Sequence, residues 1–321
     1  MNNIVFLVSQ KILTLFLIVF AGVYARKTNI LDWTSTKKLS AFLLNVTQPL
    51  MIVTSFQIDF DAQKLKEGVS IFALSAAIHV FLAFSAFWLY KPVKNIEQRK
   101  IFEMATIFTN CGFLGYPVLK VVFGDDLGVF YGAFYTMFFN IFIWTYGIVL
   151  LSRNKTKDGE KVKLPISKIF INAGMISSVA GIIIFAFRIK LPAIIFDSAR
   201  LVGDMTFPLS MIIIGSLIST VNLKSMFLSL KNYYYLIVKM LVLPLFIGVM
   251  CRILNLPPLL IYIGALMAAM PSGANVAIFA ETYESDAPSA AIDVGLSTLV
   301  SIVSVPFVIF VINSITGIAK L

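Results

Sequence analysis

Ten hydrophobic runs, parted by short polar breaks, make up most of the chain: residues 4–25, 39–56, 69–90, 101–123, 127–151, 169–187, 194–220, 233–254, 259–283 and 287–318. A bilayer-crossing helix needs about 20 predominantly apolar residues, and each run is near that length. The pattern therefore predicts ten transmembrane helices. Two of the runs are interrupted. The fourth contains Asn110-Cys111-Gly112-Phe113-Leu114-Gly115-Tyr116-Pro117, and the ninth contains Pro271-Ser272-Gly273-Ala274-Asn275. The first run ends in small residues, Ala21-Gly22-Val23-Tyr24-Ala25, as a signal peptide would. It is too long for a signal-peptide apolar region and no basic segment precedes it, so it reads as a retained helix.

The order of features repeats. Thr47-Gln48-Pro49-Leu50 recurs as Thr206-Phe207-Pro208-Leu209 at an offset of 159, and Asn110 corresponds to Asn275 at an offset of 165. Five helices form one repeat. Because five is odd, the second copy enters the membrane upside down relative to the first, an inverted-topology repeat of the kind found in many secondary transporters. The predicted organisation is a first repeat over 1–151, a loop over 152–168 and a second repeat over 169–321. Lys and Arg in the loops after odd-numbered runs outnumber those in the other loops and termini by two to one. The excess of basic residues marks the cytoplasmic side. It places the 152–168 loop in the cytoplasm and both termini outside.

Composition narrows the class. The 321 residues are 59% hydrophobic and only 13% charged, too few charges for a soluble enzyme of this size. The net charge of +10 comes from Lys and Arg lying between apolar runs, which topology explains better than nucleic-acid binding. Two cysteines and a single histidine, His79, leave no disulfide framework and no multi-histidine zinc site. No nucleotide loop, metalloprotease or serine-hydrolase motif is present in the sequence, and no cofactor is expected.

A helix break inside a bilayer survives only where protein or a water-filled cavity satisfies the freed backbone groups. Two such breaks in corresponding helices of an inverted repeat are expected to cross near the midplane. Half-helix N-termini there carry partial positive charge and free N–H donors, which suits a carboxylate. Asn110 and Asn275 add amide donors and acceptors without a formal charge. They read either as substrate contacts or as helix caps, and the two roles can coexist. Pro117 and Pro271 are expected to enforce the breaks, Gly112 and Gly273 to let the backbones approach, and Cys111 to pack between them.

Charges inside the runs are candidates for coupling or gating. Asp293 reads as the best-placed proton or cation partner, or as an interfacial acid. Glu103 reads either as a pathway residue or as a helix-entrance acid paired with Arg99 or Lys100. Asp204 reads as a partner of Arg200 or of the N–H groups around Pro208. Glu281 reads as an exit-side gate or a solvated helix end, and His79 as a proton carrier or a neutral packing histidine. Lys11 and Lys239 read as snorkelling, or as paired with an acid across helices.

The stretch from Asn110 to Leu119, followed by Phe123-Gly124-Asp125-Asp126-Leu127-Gly128, resembles the fourth-helix signature of the auxin efflux carrier family, which includes plant PIN-FORMED carriers and bacterial dicarboxylate carriers. Leu44 to Leu50, Phe207 to Gly215, Pro271 to Asn275, Ala280 to Tyr283 and Leu296 to Leu299 fit the same family, so the resemblance spans the chain. It implies an all-α membrane protein similar to bile-acid/sodium symporters. Helices 1, 2, 6 and 7 would form a scaffold, and helices 3–5 and 8–10 a transport domain with helices 4 and 9 crossed. It implies a cell-membrane carrier for a small organic anion, working as an elevator, with a homodimer through the scaffold helices as a further expectation. A sodium-coupled symporter and a membrane sensor that keeps the fold are the alternatives. The short central loop is similar to bacterial rather than plant members.

Overall fold

The computed structural model describes residues 2–153, 171–219 and 230–316, with the side chains of 2–9, 11, 12 and 125 outside that description. The predicted 152–168 loop lies beyond it apart from Ser152 and Arg153, and so does the side chain of Lys11. The described parts of the ten hydrophobic runs fold mainly as helix, and the one β-type pairing among the described residues is a single bridge. Among the described residues, five helices are long and apolar enough to cross a membrane: Ala62–Leu89, Asp126–Ser152, Ala193–Ile218, Leu230–Ile253 and Ala287–Thr316. Shorter apolar helices, Cys111–Phe123, Ala173–Ala186 and Pro258–Ala269, lie among them. Large apolar side chains such as Phe20, Phe84, Ile194 and Val303 point outward, as the lipid-facing side of a membrane protein requires.

Local chemistry sets the helix ends. Asp32, Asp61, Asn95 and Asn172 each accept a hydrogen bond from a backbone N–H of the following turn, satisfying donors that a helix start leaves unpaired. The Ser35 hydrogen bonds hold the Asp32 carboxyl below the usual carboxylate range. Asn29, Arg188, Asn255 and Glu284 take positive φ just past helix ends and turn the chain back.

Among the described residues, four helices contain a π-turn, at Leu43–Thr47, Cys111–Gly115, Ile143–Gly147 and Val238–Val242. Three of them run directly into a helix with proline in its first two positions: Pro49, Pro117 and Pro244. Proline lacks an N–H and its ring collides with the carbonyl four residues earlier. Widening the preceding turn relieves the collision without ending the helix. This corrects one expectation. Pro117 does not mark the break in the fourth run. The helix stops upstream, at Ile107, and Pro117 lies in the first turn of Tyr116–Phe123.

Asn2–Lys27 packs along Thr206–Ile218, and Gln48–Ser55 packs between Ala173–Ala186 and Ala193–Asp204. The first of these contacts is backbone to backbone. A Cβ on Gly22 would lie 2.1 Å from the Ile212 carbonyl oxygen, and a Cβ on Gly215 would lie 2.1 Å from that of Val19. Lipid is as apolar as the side chains, so membrane helices associate through such close packing of small residues.

Candidate functional site

The two interruptions meet. Ile96–Ile107 ends at Phe108, whose φ of −100° and ψ of 83° leave the helical region, and Pro258–Ala269 ends at Met270, with φ −60° and ψ 144°. The freed stretches lie antiparallel, joined by a bridge between Thr109 and Ser272. The Asn110 N–H donates to the Pro271 carbonyl at 2.6 Å, and the Gly273 N–H donates to the Phe108 carbonyl at 3.0 Å. Each break therefore supplies the partners the other lacks, which offsets a cost of several kcal/mol for each unpaired group in hydrocarbon. Gly273 suits this approach, since a Cβ there would stand a tight 3.3 Å from both the Phe108 and Thr109 oxygens.

Side chains extend the lock. The Thr109 hydroxyl donates to the Met267 carbonyl at 2.9 Å, and the Ser272 hydroxyl donates to the Ala105 carbonyl at 2.7 Å. Tyr235 bonds the same Ser272 hydroxyl, and the Ser272 N–H donates to Ser297 at 3.0 Å. Lys239, one turn after Tyr235, is buried and holds the carbonyls of Ala268 and Met270. It does not snorkel and, among the described residues, it meets no acid, contrary to the sequence expectation. Thr109, Ser272, Tyr235 and Lys239 were not singled out as site residues from the sequence. Ser272 was within reach, lying inside the interrupted motif.

A small cavity opens beside the crossing. Asn110, Cys111 and Gly112 line it from one break, and Gly273, Ala274 and Asn275 from the other. Gln48, Thr136 and Asn140 complete its polar wall. No lining residue carries a formal charge. Asn110 is 6% exposed, and its side-chain oxygen accepts the Phe113 N–H at 3.0 Å, so it caps the helix that follows. Its amide nitrogen has no such duty in the cap. Ala274–Thr282 starts at the cavity with no side-chain cap on its first N–H groups. The Gln48 side-chain oxygen is buried without a partner, 3.7 Å from where a Cβ on Gly112 would stand. Asn110 also lines a second, mostly apolar cavity with Trp33, Ile214 and Val294. The wall can thus offer amide donors, hydroxyls and helix-end N–H groups to an anion on one side and apolar surface on the other.

The remaining candidates are dispersed. Pro271 takes part in the crossing through its carbonyl, Pro117 lies in the helix that follows, and neither lines the cavity. Glu103 is fully buried between Arg99, at 2.8 Å, and Arg153, at 3.3 Å. Asp204 faces Lys120 at 3.9 Å, while Arg200 faces Asp126, so the expected Asp204–Arg200 pair is not formed. Glu281 is half exposed and pairs with Lys37 at 3.2 Å. His79 sits among Tyr135, Phe138, Phe139 and Phe142, with Nδ1 2.7 Å from the Ser75 carbonyl. Asp293 is buried, with one carboxylate oxygen lacking a hydrogen-bond partner. Among the described residues no cluster of His, Cys, Asp or Glu is arranged to hold a metal ion.

The family model described as membrane transport protein matches residues 7–309. A protein of Methanocaldococcus jannaschii described as an uncharacterized transporter is 23% identical over 306 residues, which cover 91% of this chain and 94% of that protein.

Proposed function

The chain belongs to the membrane transport protein family, the auxin efflux carrier family whose motifs it resembles, and from that premise we propose that it is a secondary carrier for a small organic anion, a carboxylate. It is a multi-pass membrane protein of a transporter family. In the proposed mechanism it has ten spans in two inverted five-helix repeats, over 1–151 and 169–321. The carboxylate binds beside the crossing, between the Asn110 and Asn275 amides and the N-terminal N–H groups of the following helices. Helices 3–5 and 8–10 carry the site past a scaffold of helices 1, 2, 6 and 7, exposing it alternately on the two sides of the cell membrane. The 152–168 loop is cytoplasmic, both termini are outside, and the outer face of the scaffold suits a homodimer.

One observation carries this reading: a polar, uncharged cavity built from both breaks, deep in an otherwise apolar chain. Uncharged amides can bind an anion without the cost of burying a permanent charge in the wall. The packing of Gln48–Ser55 on Ala173–Ala186 and Ala193–Asp204, and of Asn2–Lys27 on Thr206–Ile218, supports the scaffold grouping. Glu281 and Lys37 would then form a surface pair between the moving and static parts. The absence of a carboxylate from the cavity wall gives a sodium-coupled mechanism no anionic ligand there.

Proteoliposomes holding the purified chain test the proposal. Labelled mono- and dicarboxylates are offered under an imposed, inside-positive potential. Accumulation of at least one of them above protein-free liposomes is the expected result. No accumulation across the panel, in either orientation of the potential, would refute the carrier assignment.

A further inference from the structure

Lys239 lies in the middle of a hydrophobic run and is 1% exposed. A buried charge at such a depth is costly and needs a specific reason. Its Nζ donates to the carbonyl of Ala268 at 2.9 Å and to that of Met270 at 2.8 Å. These are two of the last three carbonyls before Pro271, and the break leaves them without the N–H groups of a further turn. A helix C-terminus carries partial negative charge and favours a cation. The π-turn Val238–Val242 contains Lys239, and Tyr235 one turn earlier grips the same break through Ser272.

The other break is held differently. The Ala105 carbonyl accepts from the Ser272 hydroxyl, and the Phe108 carbonyl accepts from the Gly273 N–H. Both donors are neutral. The two broken helices thus exchange backbone bonds in the same way, yet only the second has an ammonium at its C-terminal end. From that ammonium the path to the cavity is short: Met270 precedes Pro271, whose carbonyl accepts the N–H of Asn110, and Asn110 lines the cavity.

We propose that the Lys239 ammonium is a tethered cation, occupying the broken-helix carbonyls where a free monovalent cation would otherwise bind, and supplying the fixed positive charge that draws an anion to the crossing. The second half rests on the carrier reading and the first does not. A covalently held cation needs no recruitment from solution, so binding and movement of the anion are independent of sodium.

The test uses the full chain, its Lys239→Met and Lys239→Gln variants, and Lys239→Arg, which keeps the charge. Thermal unfolding in detergent is followed in the chlorides of N-methylglucamine, sodium and methylammonium at equal ionic strength. The wild type and Lys239→Arg are expected to melt alike in all three salts. The neutral variants are expected to melt lower and to regain about 3 °C or more in methylammonium over N-methylglucamine, because the vacated carbonyls accept a small cation. A wild type stabilised by sodium overturns the proposal even if no neutral variant folds, and so do neutral variants indifferent to the cation. In proteoliposomes, labelled malonate uptake by the wild type is expected to be equal in sodium and N-methylglucamine. Lys239→Gln should lose at least about tenfold and Lys239→Arg should retain it. Retention by Lys239→Gln overturns the anion-drawing role. A wild type carrying no carboxylate defeats the carrier reading instead, and the unfolding series still decides whether Lys239 is a cation stand-in.

Discussion

Replacing Asn110 by Asp is expected to lower carboxylate uptake by roughly a thousandfold while leaving the protein folded. Asn110 has two duties that a single substitution can separate. Its side-chain oxygen caps the helix through the Phe113 N–H, which leaves the amide nitrogen free of the cap, and the residue lines a cavity with no formal charge in its wall. Asp is as good a cap as Asn, so the fold loses nothing at the helix start. What changes is the charge presented to the ligand. Two like charges about 4 Å apart at an effective dielectric near 20 repel by roughly 4 kcal/mol, which is about three decades in binding. Asn110→Ala removes the cap, worth about 1 kcal/mol, together with a charge-assisted hydrogen bond of about 1.5–3 kcal/mol. It should therefore lose uptake less steeply and stability more. Uptake in proteoliposomes and unfolding temperature, measured on both variants, check the split. If Asp at this position transports as well as Asn, the amide does not face the anion and Asn110 is only a cap.

The second large effect lies far from the cavity. Gly215→Val is expected to abolish the folded, monodisperse protein, and Gly215→Ala to destabilise it by about 2 kcal/mol or more. An exposed helical glycine gains about 1 kcal/mol on becoming Ala. Here a Cβ would stand 2.1 Å from the Val19 carbonyl oxygen and 3.0 Å from the Gly22 Cα, both backbone atoms that no side-chain rotation can move. Overpacking commonly costs about 1–3 kcal/mol even where side chains can adjust, so the steric loss exceeds the propensity gain. Phe20→Ala, on the outward face of the same helix pair, serves as the control and should leave unfolding unchanged. Size-exclusion profiles and unfolding temperatures in detergent are the readouts. An unchanged Gly215→Ala would mean that these two helices do not pack at this distance.

Much of this architecture is written in composition and punctuation. Pro271, Gly273 and Asn110 stand out because they interrupt apolar runs that have no other reason to stop, and the equal spacing of the interruptions suggests that they meet. Other features depend on three dimensions. Nothing in the sequence distinguishes Pro117, which follows a widened turn, from a proline that ends a helix. The difference lies in whether the preceding turn can relax into π geometry. Lys239 looks like a snorkelling side chain because the carbonyls it holds belong to a helix some thirty residues later in the chain. Asp204 has Arg200 one turn away, yet faces Lys120 of a neighbouring helix, since packing rather than sequence distance decides between two basic partners. Gln48 sits in a motif that reads as a proline bend, and its place in the cavity wall follows from how Gln48–Ser55 meets the crossing.

The location of a bound anion tests the central claim most directly. Crystals of the full chain soaked with 2-bromosuccinate would report the bromine by anomalous scattering, free of any assumption about transport. The expected peak lies in the cavity between Asn110 and Asn275, within reach of the Ala274–Thr282 N-terminus. A peak held elsewhere in the membrane-embedded part, with this cavity unoccupied at saturating ligand, would contradict it.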